Sequence, residues 1–201
     1  MAHLAKLDSL PFGDYLAQER EVEIRSEYVD GQLYAMAGAS EVHNTIAMSF
    51  AAAIESALDE RCRVWQSDMK VIGESSGRRF AYYPDIMAAC GESQGDSYSR
   101  SNPLLIVEVL SASTQRVDLN EKFINYTGIA TLLEYVVVSQ DAPLVRMFRR
   151  RTAWQLERYG AADRFTLESV GLEIAVAQIY RRVQREVGFA SFITSLPSSA
   201  W

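Results

Sequence analysis

Tyr82-Tyr83-Pro84-Asp85-Ile86 and, further on, Leu104-Leu105-Ile106-Val107-Glu108-Val109-Leu110-Ser111 decide how this chain is read. Each run is apolar enough to be a buried strand, and each carries one carboxylate. An ionised carboxylate leaves water at high cost unless a cation, a metal or hydrogen bonds compensate it. Such placements therefore point either to a charged site or to structural ion pairs. Side chains alternate along a strand, so Ile106, Glu108 and Leu110 face one way while Val107 and Val109 face the other.

The segments around these runs supply the expected elements. Residues 114–127 read as a helix capped by Ser113 or Thr114, on which Asp118, Lys122 and Tyr126 recur at i, i+4, i+8 and share one face. That helix leaves the end of the Glu108 strand, and about 12 Å of rise separates Thr114 from Lys122. A long lysine can then reach back toward Glu108. Lys70, in a strand expected over 62–72 with Asp68 and Ile72 on its face, is the alternative cation. A second strand over 80–90 carries Asp85. The pair Asp30-Gly31 between two β-prone runs predicts a tight hairpin. Ser40 caps a helix over 41–59, with His43 in its first turn.

Further elements are a helix over 8–20, strands over 132–138, 144–148 and 153–159, and a terminal helix over 175–187. The expectation is an α/β fold: a single domain over 1–201 with a mixed sheet flanked by helices and short tails at 1–9 and 188–201. The aromatic region of Phe148, Trp154 and Tyr159 also raises a dimerisation surface as a reading.

Composition narrows the function. No apolar run approaches the roughly 18 residues that span a bilayer, and the N-terminus lacks a signal peptide's apolar core, so a cytoplasmic location is expected. The two cysteines, Cys62 and Cys90, show no metal spacing and are expected to build neither a zinc ribbon nor a disulfide framework. With only two histidines, a metal here is expected on oxygen ligands, which favours Mg²⁺ or Mn²⁺. A net charge of −6 argues against a protein that coats nucleic acid, while leaving room for a local basic patch. Arg146 to Arg151 and Arg181, Arg182 and Arg185 are the candidate patches.

Asp85 and Glu108 as metal ligands with Lys122 as the cation form the working site of a metal-dependent phosphodiesterase. Glu27 is a further candidate ligand, and His43, Lys70 and Asp118 are secondary candidates. A nuclease built on Glu-x-Lys would carry lysine at position 110, where this chain has leucine.

Six motifs in order, Glu27-Tyr28-Val29-Asp30-Gly31, Ser40-x-x-His43, Ser67-Asp68, Pro84-Asp85, Val107-Glu108-Val109-Leu110-Ser111 and Asp118-x-x-x-Lys122, resemble the Uma-two family. That family consists of restriction-endonuclease-like proteins of the PD-(D/E)XK nuclease superfamily. The resemblance covers roughly residues 10–180. It implies a restriction-endonuclease-like core preceded by a β-hairpin extension, and Mg²⁺- or Mn²⁺-dependent cleavage of DNA. The superfamily's acidic residues fall on Asp85 and Glu108, its lysine is relocated to Lys122, and a homodimer would cut both strands. Ala112 departs from the proline that relatives carry after the serine. The competing expectation is a catalytically inactive nuclease-fold protein that binds nucleic acid or a protein partner.

Overall fold

Pro84-Asp85 lies where one long β-segment changes sheets. In a computed structural model, which describes residues 10–36, 38–92, 96–110 and 115–188, the chain runs up β5 (Arg78–Tyr82), breaks at 83–85, and continues as β6 (Ile86–Cys90) in a different sheet. The sequence expectation of one strand over 80–90 is corrected here, because Pro84 cannot donate to a ladder. The expected strand over 62–72 divides in the same way. β3 (Cys62–Gln66) pairs with β6, and β4 (Lys70–Ser75) pairs with β5, with Ser67 at positive φ in the turn between.

The first sheet has the order β2-β1-β5-β4-β7. It begins with the hairpin of β1 (Ser26–Val29) and β2 (Gln32–Ala35) and ends with the short β7 (Ser99–Arg100). Asp30 and Gly31 both have positive φ, as a type I′ turn requires. The hairpin is thus an integral edge of this sheet rather than an appendage. It is braced by α1 (Phe12–Gln18), whose Tyr15 hydroxyl donates to the Ser26 carbonyl at 2.6 Å.

The second sheet has the order β11-β10-β9-β8-β6-β3. Its centre is β8 (Leu105–Leu110), antiparallel to β6 and parallel to β9 (Glu134–Ser139), with β10 (Val145–Arg149) and β11 (Leu156–Tyr159) outside. Helix α2 (Glu41–Glu55) covers one face, packing Ile46, Phe50 and Ile54 on Ile86, Val107, Val109 and Val136. Helix α3 (Gln115–Thr127) serves the other, where Tyr126 joins Met87, Ile106, Leu110, Tyr135 and Val137 together with Val71, Phe80 and Tyr82 of the first sheet. Apolar cover on both faces explains why β8 reads as a nearly unbroken apolar run.

A small hairpin, β12 (Arg164–Leu167) with β13 (Leu172–Ala175), was not legible in the sequence. The expected terminal helix shortens to α4 (Val176–Ile179) followed by turns. Cys62 and Cys90 sit opposite each other across β3 and β6 and are joined in a disulfide. That corrects the expectation that they build none; their separation of 28 residues concealed a shared strand register. Phe148, Trp154 and Tyr159 are half-buried against Tyr135 and Phe123, Arg150, and Phe165 respectively, so they pack within the chain. The Arg146–Arg151 patch also dissolves. Arg149 is buried on Glu134 and Glu157, Arg150 donates to the carbonyls of Leu132 and Ile129, and Arg151 pairs with Glu168.

Candidate active site

Antiparallel pairing of Ile86 with Val107 sets Asp85, one step beyond the ladder, opposite Glu108. Two hydrogen bonds lock that arrangement. The Val109 amide donates to Asp85 Oδ2 at 2.7 Å, and the Asp85 amide donates to Glu108 Oε2 at 3.4 Å. The two carboxylates therefore meet at the point where the β5–β6 segment leaves the first sheet. Glu108 is 3% exposed and the Asp85 side chain 17% exposed, so one is embedded and the other opens toward solvent.

Lys122 comes from α3. Its Nζ lies 2.9 Å from Glu27 Oε1 and 3.5 Å from Glu108 Oε1, and its side chain is 12% exposed. Glu27, on β1, also accepts from the Tyr83 amide at 3.1 Å. Tyr126, one turn further along α3, donates its hydroxyl to Glu108 Oε1 at 2.9 Å. The helix geometry places Tyr126 on the Lys122 face already in the sequence, but no feature of the sequence assigns it to Glu108.

His43 approaches from α2. Its amide is held by the Ser40 cap at 3.1 Å, and its Nε2 lies 3.1 Å from Asp85 Oδ2, while Nδ1 is buried without a partner among the described residues. Lys70 does not reach this cluster. It is buried in the first sheet with Nζ 3.2 Å from the Tyr83 hydroxyl, which in turn donates to Glu19 at 3.1 Å. Asp68 lies in the turn before β4, paired with exposed Arg25. Asp118 belongs to α3, but its side chain lies outside the described residues, as do the Ser113 and Thr114 caps.

Electrostatics follow from burial. Desolvation pushes the Glu108 carboxyl up to about 8, with Asp85 and Glu27 adding to the rise while Lys122 and the Tyr126 hydroxyl oppose it. Burial works to lower His43, but the hydrogen bond and charge of Asp85, aided by Glu108, leave it above the ordinary imidazole value. Burial, opposed by the charges of Glu19 and Asp96, holds Lys70 below the usual ammonium range. Tyr126 is held far up by burial and by Glu108, so it stays a phenol that donates to the carboxylate.

The donor set is oxygen-rich: Glu27 and Glu108 flank the Lys122 ammonium group, and Asp85 lies across the β6–β8 ladder from Glu108. Asp85 Oδ1 and Glu27 Oε2 accept no hydrogen bond from a described donor. Among the described residues, no three His, Cys, Asp or Glu side chains form a closed metal cage. One embedded and one solvent-facing carboxylate nonetheless suit Mg²⁺ or Mn²⁺, since Mg²⁺ is ordinarily held by one or two carboxylates and retains several waters.

Residues 12–177 match the Uma2 family, described as "Putative restriction endonuclease". The chain belongs to the Uma2 family. The uncharacterized protein slr1290 of Synechocystis sp. is 33% identical over 172 residues, covering 84% of this chain and 90% of that protein. The uncharacterized protein sll1609 of the same organism is 32% identical over 155 residues, covering 75% and 86%. A crystal structure described as a putative nuclease belonging to DUF820 from Anabaena variabilis superposes with a TM-score of 0.64 at 14% identity, covering 80% of this chain and 92% of that one. The Uma2 chain therefore shares that protein's fold, a mixed α/β architecture whose sheets carry flanking helices. No described helix is long and apolar enough to cross a membrane.

Proposed function

We propose that this chain is an endonuclease that hydrolyses DNA phosphodiester bonds with Mg²⁺ or Mn²⁺ bound at Asp85 and Glu108. The observation that carries the reading is the convergence of Asp85, Glu108 and Lys122 at the break between β5 and β6. A bound divalent cation there would polarise a phosphate oxygen and lower the pKa of a coordinated water.

The chain's own groups divide the remaining work. Asp85 and Glu108 supply the hard oxygen donors, and Glu27 stands beside them on Lys122 as a further candidate ligand. Lys122 places a positive charge where negative charge develops on the phosphoryl oxygens. His43 fixes the orientation of Asp85 through Nε2, and Tyr126 fixes that of Glu108. Water adds to phosphorus as the bond to the leaving oxygen breaks, and two such sites in a homodimer would cut both strands of a duplex.

Conversion of supercoiled plasmid to nicked and linear forms is the test. The wild-type protein is expected to cleave with Mg²⁺ or Mn²⁺ and to stop in EDTA, and Asp85→Asn and Lys122→Met to lose at least a hundredfold in rate, about 2.7 kcal/mol of barrier. Full activity in Asp85→Asn overturns the assignment. One observation favours a second reading, a catalytically inactive nuclease fold that binds nucleic acid or a protein partner. Lys122 already contacts both Glu27 and Glu108, neutralising charge that a metal would otherwise balance. Absence of Mn²⁺ binding by calorimetry, together with absence of cleavage, would support it.

A further inference from the structure

We infer that the groove between α2 and the segment following α4 carries the phosphate backbone of DNA toward the site, an inference that rests on the nuclease reading. The groove encloses about 900 Å³ and is lined by Asn44, Thr45, Ser49, Gln178, Arg181 and Arg182. Those α2 residues lie on the side of the helix away from Ile46, Phe50 and Ile54, which face the core. The lining on α2 begins at Glu41, in the same first turn of the helix as His43, whose ring touches Asp85. From there α2 extends away from the site; its 15 residues span about 22 Å, the axial length of roughly six nucleotide steps.

Charge identifies the occupant. Arg181 and Arg182 are exposed and pair with no described carboxylate. Many other exposed arginines are neutralised, as in Arg61 with Asp59, Arg78 with Asp30, Arg79 with Glu74, Arg151 with Glu168 and Arg164 with Glu173, although Arg63, Arg158 and Arg185 pair with no described carboxylate either. In a chain of net charge −6, two adjacent unpaired guanidinium groups beside amide and hydroxyl donors reverse the local sign. Such a surface suits a polyanion, with arginines on phosphates and neutral donors fixing register, contacts that read no base sequence. Small residues at Ser49, Ala52 and Ala53 leave room for a backbone to lie close to the helix. Glu41, at the end nearest the site, is the one carboxylate lining the groove, and Met48, 61% exposed, supplies an apolar spot that a second copy of the chain could also use.

Fluorescence anisotropy with a labelled 20-base-pair duplex in EDTA separates this inference from the hydrolytic reading, because it requires no metal and no turnover. The double variant Arg181→Ala/Arg182→Ala is expected to bind about tenfold more weakly at 0.1 M salt, and the slope of log K against log salt to fall by about 1.8, from two lost phosphate contacts. Arg181→Lys/Arg182→Lys should retain most of the salt slope, and Arg158→Ala, an exposed arginine outside the groove, should leave affinity unchanged. Unchanged affinity and slope in the double alanine variant overturn the inference. So does self-association, measured by light scattering, that Met48→Asp abolishes while duplex affinity stays intact, because a second copy then fills the groove. Weakened binding by the double variant, with no plasmid cleavage by the wild type, upholds the groove and removes the nuclease.

Discussion

Glu108 is where the cost of the site is concentrated. Its carboxyl is pushed up to about 8 by burial, against an ordinary value near 4.5 when the chain is unfolded. The folded state therefore holds this proton more tightly than the unfolded one. The resulting stabilisation is present in acid and is lost as pH rises from about 4.5 through 8. In metal-free protein, Glu108→Gln is expected to keep the fold and to exceed the wild type in stability at pH 8 by about 1 to 3 kcal/mol, the gap closing toward pH 5. Urea unfolding at the two pH values measures it, and a gap that widens toward acid contradicts the account. His43 makes the complementary case. If it orients Asp85, His43→Ala should weaken Mn²⁺ binding by about tenfold to a hundredfold in calorimetry while leaving thermal stability within a few degrees. Unchanged affinity would reduce it to a packing residue.

At the scale of elements, much of the site was legible because its parts are local. Asp30-Gly31 marks the hairpin that carries Glu27, Ser40 marks the start of the helix that carries His43, and i, i+4 spacing puts Lys122 and Tyr126 on one face. The sequence could not show that β3 to β4 and β5 to β6 each change sheets. An uninterrupted β-prone run has the same period in either sheet, and only long-range pairing separates them. The same blindness to register hid the Cys62–Cys90 bridge and sent Lys70 to the wrong cluster. It also hid the role of Glu134, a buried carboxylate on β9 that looks in sequence much like Glu108. The structure instead gives it to Arg149, to the amides of Glu168 and Ser169, and to the Ser169 hydroxyl, tying the β12–β13 hairpin to the second sheet. Arg149→Met strands that carboxylate, and a loss of about 3 to 5 kcal/mol in chemical denaturation is expected. A loss below 1 kcal/mol would mean that the backbone amides suffice.

Across the whole molecule, two sheets share one crossing point, and the site sits on it. The second sheet with α2 and α3 supplies the rigid body, and the first sheet delivers Glu27 and the Tyr83 amide from the opposite side. Mobility at the break would separate Asp85 from Glu108, so the apolar clusters on both faces of the second sheet, from Phe50 to Tyr126, hold the chemistry in register. Membership of the Uma2 family and the order of its motifs were readable in the sequence. The three-dimensional meeting of β1, β6, β8 and α3 required the fold. The most direct test is a crystal soaked in Mn²⁺ and measured for anomalous scattering. The account predicts a peak within about 2.0 to 2.6 Å of carboxylate oxygens from both Asp85 and Glu108. A peak elsewhere, or none at millimolar Mn²⁺ with Lys122 still seated on Glu108, would contradict it.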